Sequence, residues 1–129
     1  MNIGDAARAS GVSAKMIRYY ESIGLIQPAA RTAAGYRDYA DTDLHVLRFI
    51  RRARDLGFSL AEIQELLALW RDRDRHSAEV RRIAETHVAV LQQKIRDMQG
   101  MADTLQELVD CCQGDARPDC PILDRLARP

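Results

Sequence analysis

At 129 residues, with 47% hydrophobic and 29% charged side chains, the chain is long enough for one modest core and has the balance of an ordinary water-soluble fold. No apolar run approaches the ~20 residues that cross a bilayer, and the opening MNIGDAARAS lacks the basic-then-apolar pattern of a secretory signal. No membrane partner is expected, and the expected location is cytoplasmic. Formal net charge is zero, yet residues 1–57 carry nine Lys/Arg against six Asp/Glu, and residues 58–129 carry ten against thirteen. That split fits a nucleic-acid-binding head and a separate regulatory body.

The segment from Gly4 to Leu25 predicts two short helices around a tight turn, with Ala6, Ala7 and Val12 as small apolar contacts. Gly11 can take the left-handed conformation that ends the first helix. Ser13 then N-caps the second, about Ala14 to Ser22, and Gly24 stops it. Helix, glycine-containing turn and helix make a helix-turn-helix candidate. Pro28, the alanines and Gly35 break any helix that follows, and the β-prone piece around Tyr36 and Tyr39 reads as a two-stranded hairpin, or wing. Asp41 is expected to cap a third helix reaching about Asp55, with Leu44, Leu47, Phe49 and Ile50 apolar and Gly57 as its stop. Ser59 and Glu62 form a capping box for a fourth helix, in which Leu60, Ile63, Leu66, Leu67 and Trp70 keep helical spacing.

After the polar stretch RDRDRHS, a long helix is expected from about Ala78 to Asp110. Its Ala84, Val88, Leu91, Ile95, Met98, Ala102, Leu105 and Val109 alternate in steps of four and three, a heptad seam of roughly three and a half repeats. Some 33 residues at ~1.5 Å each give about 50 Å of helix. The seam either packs on the chain's own helices or meets a second copy. An antiparallel coiled coil in a homodimer is the economical answer, because the chain has little other apolar surface. The expected fold class is therefore all-α with a small β wing. A winged helix-turn-helix head (1–75) precedes a dimerisation helix (76–110), and a loop with a short final helix starting near Pro121 completes the chain (111–129).

Lys15, Arg18 and Tyr19 fall at spacings of three and four on the second helix and can share one exposed face. Arg can fork onto guanine edges or phosphates, while Lys and Tyr can hold phosphate oxygens. Arg31 and Arg37 flank the wing, and Arg48, Arg51, Arg52 and Arg54 add basic charge on the third helix. Singly, each arginine reads as a solvated surface charge and Tyr20 as a core aromatic. The ordered combination is what points to double-stranded DNA.

The string from Ile17 to Leu67 resembles the N-terminal signature of the MerR family of transcriptional regulators. The matching elements are Arg18-Tyr19-Tyr20-Glu21, Gly24-Leu25, Pro28, Arg31, Gly35-Tyr36-Arg37, Tyr39, Gly57-Phe58 and the acidic, leucine-rich helix after them. The resemblance implies a winged-helix homodimer on a near-palindromic promoter operator. Effector binding would bend and untwist the DNA so that RNA polymerase engages both promoter elements, which is indirect readout used as a switch. It also implies DNA contacts at Lys15, Arg18, Tyr19, Tyr20, Arg31, Tyr36 and Arg37, and no enzymatic activity.

The three cysteines, Cys111, Cys112 and Cys120, all lie near the C-terminus. In a reducing compartment, clustering and an odd count suggest metal binding or thiol chemistry rather than a structural disulfide. Cys112 and Cys120 do not have zinc-finger spacing. Two thiolates without a third committed ligand suit a soft monovalent ion in linear geometry: Cu(I), with Ag(I) and Au(I) as mimics. Cys111 is either a spare ligand or a small apolar residue facing the core. The segments from Cys112 to Asp115 and from Asp119 to Ile122, with His76-Ser77-Ala78, resemble the copper-responsive branch of the family. Relatives sensing divalent zinc or mercury carry a cysteine where Ser77 stands, so the resemblance makes Ser77 a selectivity position. It also reads as a plain helix N-cap. The implied function is Cu(I)-responsive activation of copper efflux or detoxification genes.

The alternative within the family is a divalent metal, or an oxidant, sensed at the thiols. A thiol redox enzyme lacks a C-x-x-C motif and a βαβ frame. A pure coiled-coil adaptor leaves the arginine-rich head unexplained.

Overall fold

The computed structural model describes residues 1–112, 114 and 118–129. In chain order its elements are α1 (Ile3–Ser10), α2 (Ala14–Ser22), β1 (Ala30–Arg31), β2 (Arg37–Asp38), α3 (Asp41–Asp55), α4 (Leu60–Arg71), α5 (Ser77–Cys111) and α6 (Pro121–Ala127). They fall into two compact units, Met1–Val80 and Arg81–Pro129. No helix among the described residues is long and apolar enough to cross a membrane.

The helix boundaries of the first unit follow local chemistry. Asn2 caps α1 by accepting the Asp5 N–H at 2.8 Å, and Gly11 ends it with φ of 76°, its N–H returned to the Ala7 carbonyl at 2.9 Å. Ser13 caps α2 by accepting from the Met16 N–H at 3.2 Å. The Ser59–Glu62 capping box is reciprocal: the Glu62 N–H donates to Ser59 Oγ at 3.2 Å, and the Ser59 N–H donates to Glu62 Oε1 at 3.0 Å. At α3 the expected cap shifts by one residue. Ala40 occupies the N-cap, Asp41 is already helical, and the Asp43 carboxylate receives the Ala40 N–H at 2.9 Å. One carboxylate three residues into the helix thus does the capping without a polar N-cap side chain.

The wing is a minimal antiparallel pair in which Ala30 faces Asp38 and Arg31 faces Arg37. Its turn closes on Thr32. The Thr32 N–H donates to the Tyr36 carbonyl at 2.8 Å, and Thr32 Oγ1 accepts the Tyr36 N–H at 3.2 Å. Gly35, at φ of 87°, provides the left-handed residue such a turn needs.

The core of this unit gathers Ala6, Ile17 and Tyr20 from the helix-turn-helix, Leu25, Ile26 and Tyr39 from the wing's base, Leu44, Leu47 and Ile50 from α3, and Ile63 and Leu67 from α4. Burying an aliphatic side chain of this size contributes about 1.5–3 kcal/mol, and α3, which packs on both α1 and α4, ties the helix-turn-helix to the rest of the core. Phe49 and Trp70 stack across α3 and α4 with ring centroids 5.0 Å apart and planes within 6°.

In α5 the seam residues Val88, Ile95, Met98, Leu105 and Val109 are each at least half exposed. At its C-terminal end, Leu108 and Cys111 face Pro121, Asp124, Arg125 and Arg128 of α6 and its flank across a cleft of about 260 Å³.

Candidate nucleic-acid interface and thiol site

Helix α2 projects its polar face outward. Lys15 and Arg18 are exposed, and Tyr19 is 46% exposed. Tyr36 stands at the tip of the wing, 73% exposed. Arg31 is exposed on β1, where Nη1 donates to the Gly35 carbonyl at 2.9 Å and stiffens the turn. The structure thus presents two cationic and aromatic groups, one on a helix and one on a hairpin, within a single folded unit.

Tyr20 differs from its expected role as a DNA contact. It is 4% exposed and its ring lies in the core, because it sits on the inward face of α2 with Ile17. Arg37 is partly committed within the protein. Its Nε donates to Glu21 Oε2 at 3.1 Å, and the Tyr39 hydroxyl donates to Glu21 Oε1 at 2.6 Å. Burial, reinforced by the Glu21 carboxylate, pushes the Tyr39 phenol well above the ordinary tyrosine range, so it remains a proton donor at physiological pH.

Two α3 arginines read from the sequence as general basic charge have specific partners. Arg48 donates through Nε and Nη2 to the Ala9 carbonyl at 3.4 and 3.3 Å, and Arg51 Nη1 donates to the Gly11 carbonyl. These are carbonyls at the end of α1, which lack partners within their own helix. The available signal was a helix ending in left-handed glycine, which leaves carbonyls for an outside donor. Which donor reaches them depends on tertiary packing.

The thiols sit at the other end of the chain. Cys112 follows the last turn of α5, its N–H bonded to the Val109 carbonyl at 3.1 Å, and is half-buried. Cys120, also half-buried, is the N-cap of α6, and Pro121 takes the first helical position with no N–H to waste. Cys111 is exposed and borders the cleft against α6, so it does not face a core. All three are free thiols. Gln113 and Asp115, part of the loop matched to the copper-responsive pattern, lie outside the described residues. Ser77 is exposed and is the first residue of α5 rather than its N-cap. Among the described residues no group of three or more His, Cys, Asp or Glu side chains forms.

The family model for the MerR HTH family regulatory protein matches residues 1–70, and the one for MerR DNA binding matches residues 44–108. The chain belongs to the MerR family. Among its relatives, the HTH-type transcriptional regulator HmrR of Sinorhizobium medicae is 61% identical over 128 residues, spanning 99% of this chain and 87% of that protein. The HTH-type transcriptional regulator CueR of Escherichia coli is 42% identical over 127 residues, spanning 98% and 94%. Among solved structures, the transcription regulator PbrR691 of Ralstonia metallidurans in complex with lead(II) matches with a TM-score of 0.85 at 30% identity, covering 98% of this chain and 99% of that one. As a MerR-family protein the chain is a DNA-binding regulator of transcription and not an enzyme. The long helix and small wing are the architecture expected of that family.

Proposed function

We propose that this regulator is a Cu(I)-responsive activator, working as a homodimer on a palindromic promoter operator and controlling copper efflux or detoxification genes. The observation that carries the metal reading is the donor set. Two free, partly shielded thiols, Cys112 and Cys120, bracket a short segment between the end of α5 and the start of α6. Two thiolates are a complete linear coordination set for a soft monovalent cation, whereas zinc and its divalent neighbours favour three or four donors. Cu(I), and Ag(I) or Au(I) in its place, fits that set. Ser77 supports the same choice, since a hydroxyl there supplies no third thiolate.

In the head, Lys15, Arg18, Tyr19, Arg31, Tyr36 and Arg37 are the residues proposed to meet the DNA. Tyr20 supports them from the core. Metal capture then shifts the dimer toward the state that distorts the operator, and RNA polymerase reads the altered DNA shape.

The test is X-ray absorption on the purified protein loaded anaerobically with Cu(I), together with promoter activity in Cys112→Ser and Cys120→Ser. Two sulfur neighbours per copper, and loss of copper induction in both variants with operator binding retained, are expected. Full induction in either variant removes that cysteine from the site. The second reading, a divalent metal, draws on Cys111, whose exposed thiol beside Cys112 offers a third sulfur. Three sulfurs per metal, and loss of response in Cys111→Ser, would favour it.

A further inference from the structure

The Glu21 carboxylate sits where simple electrostatics disfavours it. It lies on the last turn of α2, the helix that offers Lys15 and Arg18 outward, and its side chain is 9% exposed. A desolvated anion near a polyphosphate surface is costly unless fully compensated. Among the described residues its side-chain hydrogen-bond partners lie on the wing side: the Tyr39 hydroxyl at 2.6 Å on Oε1, and Arg37 Nε at 3.1 Å on Oε2. These partners lie 18 and 16 residues further along the chain. With its Nε–H donated to Glu21, the planar Arg37 guanidinium is fixed in orientation between the wing and α2. Tyr39 is itself held from the far side. Its N–H donates to the Met1 carbonyl at 2.7 Å, and its carbonyl accepts from the Met1 ammonium at 2.9 Å.

We infer that Glu21 is a positioning residue for operator recognition, its carboxylate joining the wing to the recognition helix so that both meet DNA as one rigid reader and Arg37 is held in its aim. The inference rests on the assignment of α2 and the wing to DNA contact. Charge alone predicts the opposite of what this role predicts, because neutralising an anion near the phosphates should tighten binding and steepen its salt dependence. Fixing the geometry of two contact elements should instead make the neutral isostere bind worse.

The experiment compares Glu21→Gln, Tyr39→Phe and the parent, as intact dimers, on the operator and on a random duplex of equal length. Hydrogen exchange is followed at the Thr32, Gly35 and Tyr36 amides of the wing. Glu21→Gln is expected to lose about tenfold or more in operator affinity, the scale of a lost charge-assisted hydrogen bond, with random-duplex binding unchanged or slightly stronger. Wing amides should exchange faster while α3 amides do not, a split that general destabilisation would not produce. Adding Arg37→Ala to Glu21→Gln should cost less than Arg37→Ala alone. Operator affinity equal to or tighter than the parent's, or unchanged wing exchange, overturns the role. If Glu21→Gln fails to fold, Tyr39→Phe decides by the same readouts, since it removes one oxygen and keeps the buried ring. A parent that does not prefer the operator over the random duplex defeats the DNA assignment itself. A parent that does, with variants unaffected, defeats only the role of Glu21.

Discussion

Arg51 on the third helix donates a hydrogen bond to the carbonyl of Gly11, 40 residues earlier in the chain, and so closes the turn of the helix-turn-helix from outside. Arg48 does the same one step back at Ala9. Gly11 is suited to this in two ways. Its φ of 76° is left-handed, and a Cβ there would collide with Arg51 Nη1.

Gly11→Ala should therefore lose both the backbone fit and the arginine bond. The expected cost is about 1–2 kcal/mol, or a fall in melting temperature on the order of 5–10 °C for a head of this size. Thermal unfolding followed by circular dichroism checks it. A melting temperature within a degree of the parent would mean that the turn relaxes without cost.

Arg18→Ala tests the outward face of α2. Losing one phosphate or base contact should weaken operator binding and lower the slope of log affinity against log salt by about 1. Tyr20→Phe, by contrast, should leave that slope unchanged, because the ring is buried. A reduced slope in Tyr20→Phe would return Tyr20 to the contact set.

Ser77→Cys adds a thiol at the first residue of α5. The expected outcome is a response broadened toward divalent zinc or mercury, measured as promoter induction across a metal series. A profile identical to the parent's would count against the argument that a missing third thiolate restricts the site to monovalent ions.

Ile95→Asp combined with Met98→Asp places charge in the exposed seam of α5, where the parent residues are 65% and 64% exposed. Sedimentation should shift from dimer to monomer, and operator affinity should fall with it, since two half-sites then bind separately. A dimer surviving both substitutions would place the contact elsewhere.

Much of this was legible in the residues. Ser13, the Ser59–Glu62 box and Gly11 announce helix ends because capping is local chemistry, decided within four residues. The seam from Ala84 to Val109 declares a long helix because its period is visible without knowing the partner. The cap at α3 was misplaced by one residue because Asp41 and Asp43 both offer carboxylates, and only the backbone angles decide which one turns back. Tyr19 and Tyr20 illustrate the harder limit. They are adjacent and identical, yet one is exposed and one buried, since helical geometry sends neighbours about 100° apart and only one of the two directions points into the core. Tertiary partners such as Arg37 with Glu21, or Arg51 with Gly11, leave no periodic trace, so those arginines read only as charge.

The uncovered seam on α5 carries a consequence beyond shape. A helix that leaves Ile95, Met98, Met101 and Leu105 in water gains most of its order from whatever covers them. If a second copy does so, folding of that half of the molecule is a bimolecular event, and its melting point climbs with protein concentration by mass action. Dilution then acts as a denaturant, and a cell holding few copies keeps its regulator intact through the tightness of pairing rather than through the core of either half.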